Sequence, residues 1–117
     1  MGKWVLLLTF LAAMPALADD EMTGAQFATG CDYHAREEPY REFLKTSCMM
    51  YLQGFVAGAT LVGSMNQSKA FCLPAAGTSL ESIRLAVLLG AQRYKDSPTP
   101  GALILVSLMD SFPCPAK

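Results

Sequence analysis

Eighteen consecutive residues, CMMYLQGFVAGATLVGSM from Cys48 to Met65, carry no charge. Such a run either crosses a membrane or lies inside a helical fold, and that choice constrains everything else about the chain. Its length is at the lower limit for a span, and Gln53 and Thr60 interrupt its apolar character. Cys48 at its front edge is suited to tethering one helix to another. Gly54 and Gly58 stand one turn apart on one face, with Gly63 nearby. A glycine inside a helix costs about 1 kcal/mol relative to alanine, which is tolerated where a second backbone must come close. In a bilayer the same spacing reads as a dimerisation motif. The expectation is a buried central helix of a small soluble bundle, with no membrane segment in the mature chain.

The start of the chain has the form of a secretion signal. Lys3 precedes the apolar stretch WVLLLTFLAAM, and Ala16-Leu17-Ala18 puts small residues where a signal peptidase reads. The competing reading is an uncleaved anchor, but the apolar core is short for a span and Pro15 precedes the cleavage site. Residues 1–18 are therefore expected to be removed, leaving 19–117 as a single exported domain. No cysteine follows Ala18, which argues against a lipid anchor. Lys3 is one of nine basic residues against ten acidic ones, so the exported chain is near −2. With no basic patch, nucleic acid is a poor partner.

Four helical segments are legible, with little strand alternation. Thr23 followed by Gln26 has the spacing of a capping box and opens a short first helix through TGAQFATGC. The charged stretch DYHAREEPYREFLKTS follows. Within it Pro39 suits the first turn of a small helix that points Tyr40, Phe43 and Leu44 inward and Glu37, Glu38, Arg41 and Glu42 to water. Ser47 is placed to cap the uncharged run, a helix continuing to about Ser64. Thr78 with Glu81 opens the next helix, in which Leu80, Ile83, Val87, Ala91 and Tyr94 follow at helical spacing and Arg84 and Arg93 bound the polar side. SPTP ends it. Pro98 or Pro100 then begins a last helix with Leu103, Ile104, Val106, Leu108, Met109 and Phe112, closed by Pro-Cys-Pro. The fold class is all-α, a bundle of about four helices.

Cys31, Cys48, Cys72 and Cys114 form an even set in an exported chain, which reads as two disulfides. A zinc site needs clustered ligands, whereas these cysteines are widely separated and His34 is the single histidine. If the long helix runs from Cys48 at one end, Cys72 enters the next helix from the other end. Cys114, closing the last helix of an up-and-down arrangement, falls at that same end. The pairs expected are Cys31–Cys48 and Cys72–Cys114. Cys48–Cys72 is disfavoured because residues 65–71 would have to return nearly extended along the whole helix, and Cys31–Cys72 with Cys48–Cys114 completes the alternatives.

No catalytic centre is legible. Nucleophile, base and orienting group must converge. All four cysteines are expected to be oxidised, and His34 sits in a charged connector. Glu37 and Glu38 are merely adjacent. Met49-Met50 in an exported chain could suggest copper, but methionine is a common core filler. The chain reads as a non-enzyme without catalytic, cofactor or metal residues.

From Cys31 to Cys114 the sequence resembles the Rap/Tai family of periplasmic immunity proteins associated with type VI secretion. CMMYLQGFVAGA matches that family's cysteine, tyrosine and glycine helix start. FCLPAAGTSLESIR matches its cysteine-hydrophobic-proline turn into a capped helix, and SFPCP its terminal Phe-Pro-Cys. The matching residues Cys48, Tyr51, Gly54, Cys72, Pro74, Pro113 and Cys114 are scaffold. KDSPTP stands where members often carry a histidine-proline step, a departure that bears on partner identity rather than fold. The resemblance implies a periplasmic, disulfide-bonded helical protein that binds a peptidoglycan amidase effector and obstructs its groove, with homodimers among its members.

The loop Lys95, Asp96, Ser97, Pro98, Thr99, Pro100 is the first candidate for entering such a groove, because two prolines stiffen it. The connector Asn66 to Ala70 is the second. The rivals are an envelope or stress protein on the same scaffold and an acid-responsive chaperone.

Overall fold

The computed structural model describes residues 21–116. The secretion signal expected over residues 1–18 lies outside the described residues. Among those residues the chain forms four α-helices and no strand: α1 (Gly24–Cys31), α2 (Tyr40–Asn66), α3 (Leu80–Arg93) and α4 (Pro100–Ser111). A 3-10 turn, Tyr33–Ala35, joins α1 to the charged connector.

α1 starts as the sequence requires. The Thr23 backbone N–H donates to Gln26 Oε1 at 2.9 Å, and the Gln26 N–H donates to Thr23 Oγ1 at 3.2 Å, so two otherwise orphaned donors are satisfied reciprocally. Gly24, Phe27, Ala28 and Cys31 are its buried residues. They follow the i, i+3, i+4, i+7 pattern that puts one face of a helix into a core. α1 packs against α2, α3 and α4 alike, so the shortest helix is the hub of the bundle.

α3 and α4 form the most extensive helix pair. Ser79, rather than Thr78, caps α3, accepting from the Ser82 N–H at 3.1 Å. Pro100, rather than Pro98, opens α4, with Thr99 Oγ1 accepting from the Ala102 N–H at 3.1 Å. The two helices meet where a Cβ on Gly90 would overlap the Ser107 hydroxyl, so glycine permits the close approach. Ile83 and Val87 of α3 and Leu103, Ile104 and Leu108 of α4 fill the space between helices. Each such side chain contributes about 1.5–3 kcal/mol on burial.

α2 departs from expectation in three ways. It is one helix of 27 residues beginning immediately after Pro39, so the separate small helix does not exist and Ser47 lies in mid-helix rather than at a cap. Tyr40 and Phe43 point outward, with more than half their surface exposed. Nor is α2 the buried centre of the fold: Cys48, Leu52 and Gly63 are its only buried residues. It lies along the bundle, held by one face. The helix is long and apolar enough to cross a membrane by length and composition, but Arg41, Glu42 and Lys45 charge its first turns and Leu52 is fixed in the core.

The cysteines pair as Cys31–Cys48 and Cys72–Cys114, with Cα separations of 5.3 and 4.8 Å. The first ties α1 to α2. The second ties the segment before α3 to the end of α4, where the Cys72 N–H also donates to the Phe112 carbonyl at 2.8 Å.

Candidate functional site

The loop from Lys95 to Pro100 is pinned through its middle residue, Ser97. The Ser97 N–H and Oγ donate to the Tyr94 carbonyl at 3.3 and 2.9 Å, and the Ser97 carbonyl accepts from the Gly24 N–H at 3.0 Å. Gly24 lies so close that an added Cβ would stand 2.8 Å from Ser97 Cβ. The loop is thus laced onto the start of α1. Lys95, Asp96 and Pro98 remain exposed, while Ser97, Thr99 and Pro100 are half-buried. Beside it, Tyr94 Oη donates to Asp110 Oδ2 at 2.5 Å and Arg93 Nη1 donates to the same oxygen at 3.0 Å. The Tyr94 hydrogen bond holds the Asp110 carboxyl below its ordinary range, helped by Arg93, and the same bond raises the phenol. Arg93 to Ser97 line an open depression of about 350 Å³.

Thr99 and Pro100 also border a larger groove of about 700 Å³ between α1 and the first half of α2. Its walls include Met22, Phe27, Tyr40, Phe43, Ser47 and Tyr51, with Tyr51 against Phe27 at a ring separation of 4.9 Å. The Cys31–Cys48 disulfide lies beneath it. The connector Asn66 to Ala70 sits at the far end of α2 and is exposed throughout. The structure therefore does not bring the two candidate loops together.

A buried polar cluster underlies the α1 end of the groove, and the sequence reading placed its key residue on the polar side. Arg84 is only 3% exposed. Its Nε and Nη2 donate to Glu81 Oε2 and Oε1 at 2.9 and 2.5 Å, and its Nη1 donates to the Cys31 carbonyl at 2.8 Å. The guanidinium lies over the Tyr33 ring, 4.8 Å from its centroid, and Tyr33 Oη donates to Glu81 at 3.4 Å. The hydrogen bond from Arg84 holds the Glu81 carboxyl below its ordinary value, whereas burial raises the Tyr33 phenol. This geometry is a clamp: it satisfies the last carbonyl of α1 and fixes α3 against it. The Glu81–Arg84 spacing of three residues was the available sign, since such pairs are neighbours on a helix surface.

All four cysteines are oxidised, and His34 is exposed beside Tyr33. Among the described residues no three metal-ligating side chains cluster. The motif residues Cys48 and Tyr51 support the α1–α2 contact, whereas Gly54 has no neighbour within 4 Å.

The structure is thus an all-helical bundle held by two disulfides, with a braced loop and an apolar groove. The family model described as Rap1a immunity proteins matches residues 23–114, and the chain belongs to that family. Comparisons with curated proteins and with solved structures give no match. Membership carries an immunity role against a toxic effector, generally a non-enzymatic one, and with the disulfides it indicates a protein that works outside the cytoplasm.

Proposed function

We propose that the chain, exported by its signal segment as residues 19–117, is a periplasmic immunity protein that binds a peptidoglycan amidase effector of a type VI secretion system and blocks its groove. The observation that carries this reading is the family match together with a loop pinned through Ser97 whose neighbouring residues Lys95, Asp96 and Pro98 stay exposed. A braced loop loses little freedom on binding, so more of its contact energy appears as affinity. Two copies acting as a homodimer belong to the same reading, with neither nucleic acid nor membrane as partner.

The test is titration of oxidised 19–117 against the cell-wall-active product of the neighbouring gene, with binding and peptidoglycan hydrolysis followed together. Nanomolar affinity, about −12 kcal/mol, with matching loss of hydrolysis is the expected result. Absence of binding to a folded neighbour removes the amidase assignment. Asp96→Arg is expected to weaken that binding with almost no change in melting temperature. Unchanged affinity removes the loop from the interface.

An acid-responsive chaperone is the second reading, favoured by the apolar side chains that α2 exposes. Suppression of client aggregation at acid pH, with uptake of an apolar dye, would support it.

A further inference from the structure

The two disulfides differ in what can reach them and in what must move when they open. Cys31 and Cys48 are 0% and 3% exposed, both lie in helices, and the Cys31 carbonyl is held by Arg84. Parting them means prising α1 from α2. Cys72 and Cys114 are each partly exposed, and neither lies in a helix. Cys114 stands past the end of α4 between Pro113 and Pro115, which have no N–H to tie the tail down. Only that tail need move to separate the second pair. Exposed disulfides are the ones open to exchange, in which a thiolate attacks one sulfur and displaces the other.

Beside this pair the surface offers a seat for the attacking molecule. A depression of about 300 Å³ between the end of α2 and the turn before α3 has Cys72 in its wall, and not Cys114. Lys69, from the connector Asn66 to Ala70, is the one charged residue of that wall and makes no ion pair among the described residues. Thr78 is a wall residue too. Because Ser79 caps α3, Thr78 Oγ1 is left buried with no hydrogen-bond partner among the described residues. A buried hydroxyl in that position costs stability until something bonds to it.

We propose that Cys72–Cys114 is a thiol-exchange site whose substrate is a small anionic peptide thiol of the glutathione class, seated on Lys69 and Thr78. The proposal is independent of the amidase reading. A carboxylate of the substrate pairs with Lys69, and Thr78 Oγ1 supplies a hydrogen bond. The substrate thiolate attacks Cys72 Sγ, the bond to Cys114 breaks, and Cys114 leaves as a thiolate that takes a proton from water. One S–S bond forms for the one lost, so no oxidant or reductant is consumed. Cys114 Sγ lies 3.8 Å from the Lys69 carbonyl, which can accept the new S–H. The volume is at the low end of small-molecule sites and suits a tripeptide rather than the face of a folded dithiol protein. Exchange opens the closure of 42 residues and leaves Cys31–Cys48 in place, so one pair alone registers the thiols around the protein.

The experiment incubates oxidised 19–117, which has no free cysteine, with reduced glutathione in the absence of denaturant. Time points are stopped in acid, alkylated and mapped by mass. The expected product carries one glutathione on Cys72 and an alkyl group on Cys114, with Cys31–Cys48 intact. Lys69→Glu is expected to slow this reaction about tenfold by reversing the charge and to leave the reaction with uncharged mercaptoethanol unchanged. Cys114→Ser, in which Cys72 cannot reclose, should take one glutathione from glutathione disulfide with the same dependence on Lys69. Opening of Cys31–Cys48 first, or of both pairs at one rate, would overturn the proposal, and so would a second pair that stays closed in both thiols. Glutathione found on Cys114 in place of Cys72 would refute the direction of attack. Equal glutathione rates for wild type and Lys69→Glu would remove the seat and leave a merely exposed disulfide. Opening by thioredoxin where glutathione fails would reject the small thiol and assign the pair to a dithiol protein.

Discussion

The core formed by α1, α3 and α4 and the outer face of α2 are built from the same residue types and have opposite fates. In the core the inward faces find partners: Phe27 and Ala28 of α1, Val87 of α3 and Leu103 of α4 are all buried, and Gly90 lies close against Ser107. On α2 Gly54 and Gly58 are open and Leu61, Val62 and Met65 are more than half exposed. Periodicity reports that a face is apolar, not what covers it. A core and an interface obey the same rule, and only the packed fold separates them.

The disulfides sharpen the contrast, because one joins the segment before α3 to the end of α4 and the other, buried, ties α1 to α2. Replacing Cys72 and Cys114 by alanine opens a closure of 42 residues and is expected to cost about 4 kcal/mol by loop entropy. The loss should appear as a global fall in the denaturant midpoint. Replacing Cys31 and Cys48 opens a closure of 17 residues, for about 3 kcal/mol. Its signature should be local, with amide exchange rising first in α2. Equal exchange in all four helices would mean that α2 is as integral to the core as α1, and the division drawn between them would fail.

Much of this was legible in the sequence, and the misses share a cause. The capping box at Thr23, the order of the four helices and both disulfide pairs follow from local rules and chain geometry. The Thr78-for-Ser79 exchange is a one-residue boundary shift of the kind that adjacent hydroxyl residues allow. Merging the small helix into α2 was hidden by Pro39 and Ser47, both of which imitate helix starts. The burial of α2 was overestimated because a charge-free run with glycines describes a covered surface equally well when the cover comes from outside the chain. Arg84 was misplaced for the converse reason: a charged residue was assigned to solvent, although its Glu81 neighbour and the Cys31 carbonyl satisfy it in the interior. The groove was invisible because its walls come from α1, α2 and the α3–α4 loop at once.

The Arg84 clamp gives the next effect in size. Arg84→Met keeps the volume of the stem but leaves the Cys31 carbonyl without its donor. About half of the Glu81 side chain is exposed and regains water, so the expected cost is about 2 kcal/mol, below that of a fully buried pair. It should also depend on pH. The folded Glu81 carboxyl lies below its ordinary value, so its contribution is complete above the unfolded carboxylate pKa and disappears as pH falls through the folded one. The gap in melting temperature between wild type and Arg84→Met should therefore narrow on acidification without closing, since the bond to the Cys31 carbonyl does not titrate. A gap that is constant across that range would show that the Cys31 contact alone carries the clamp.

The smallest effect tests the outer face most directly. Gly54→Ala adds a methyl group where a single chain has nothing within 4 Å. The substitution should stabilise α2 by up to about 1 kcal/mol, the helix-propensity difference between the two residues. Denaturation of Gly54→Ala at low and high protein concentration is the check, and the expected outcome is stabilisation of the same size at both. Loss of that stabilisation as the protein is concentrated would mean that a second backbone approaches Gly54. The outer face of α2 would then differ from the core only in where its cover comes from.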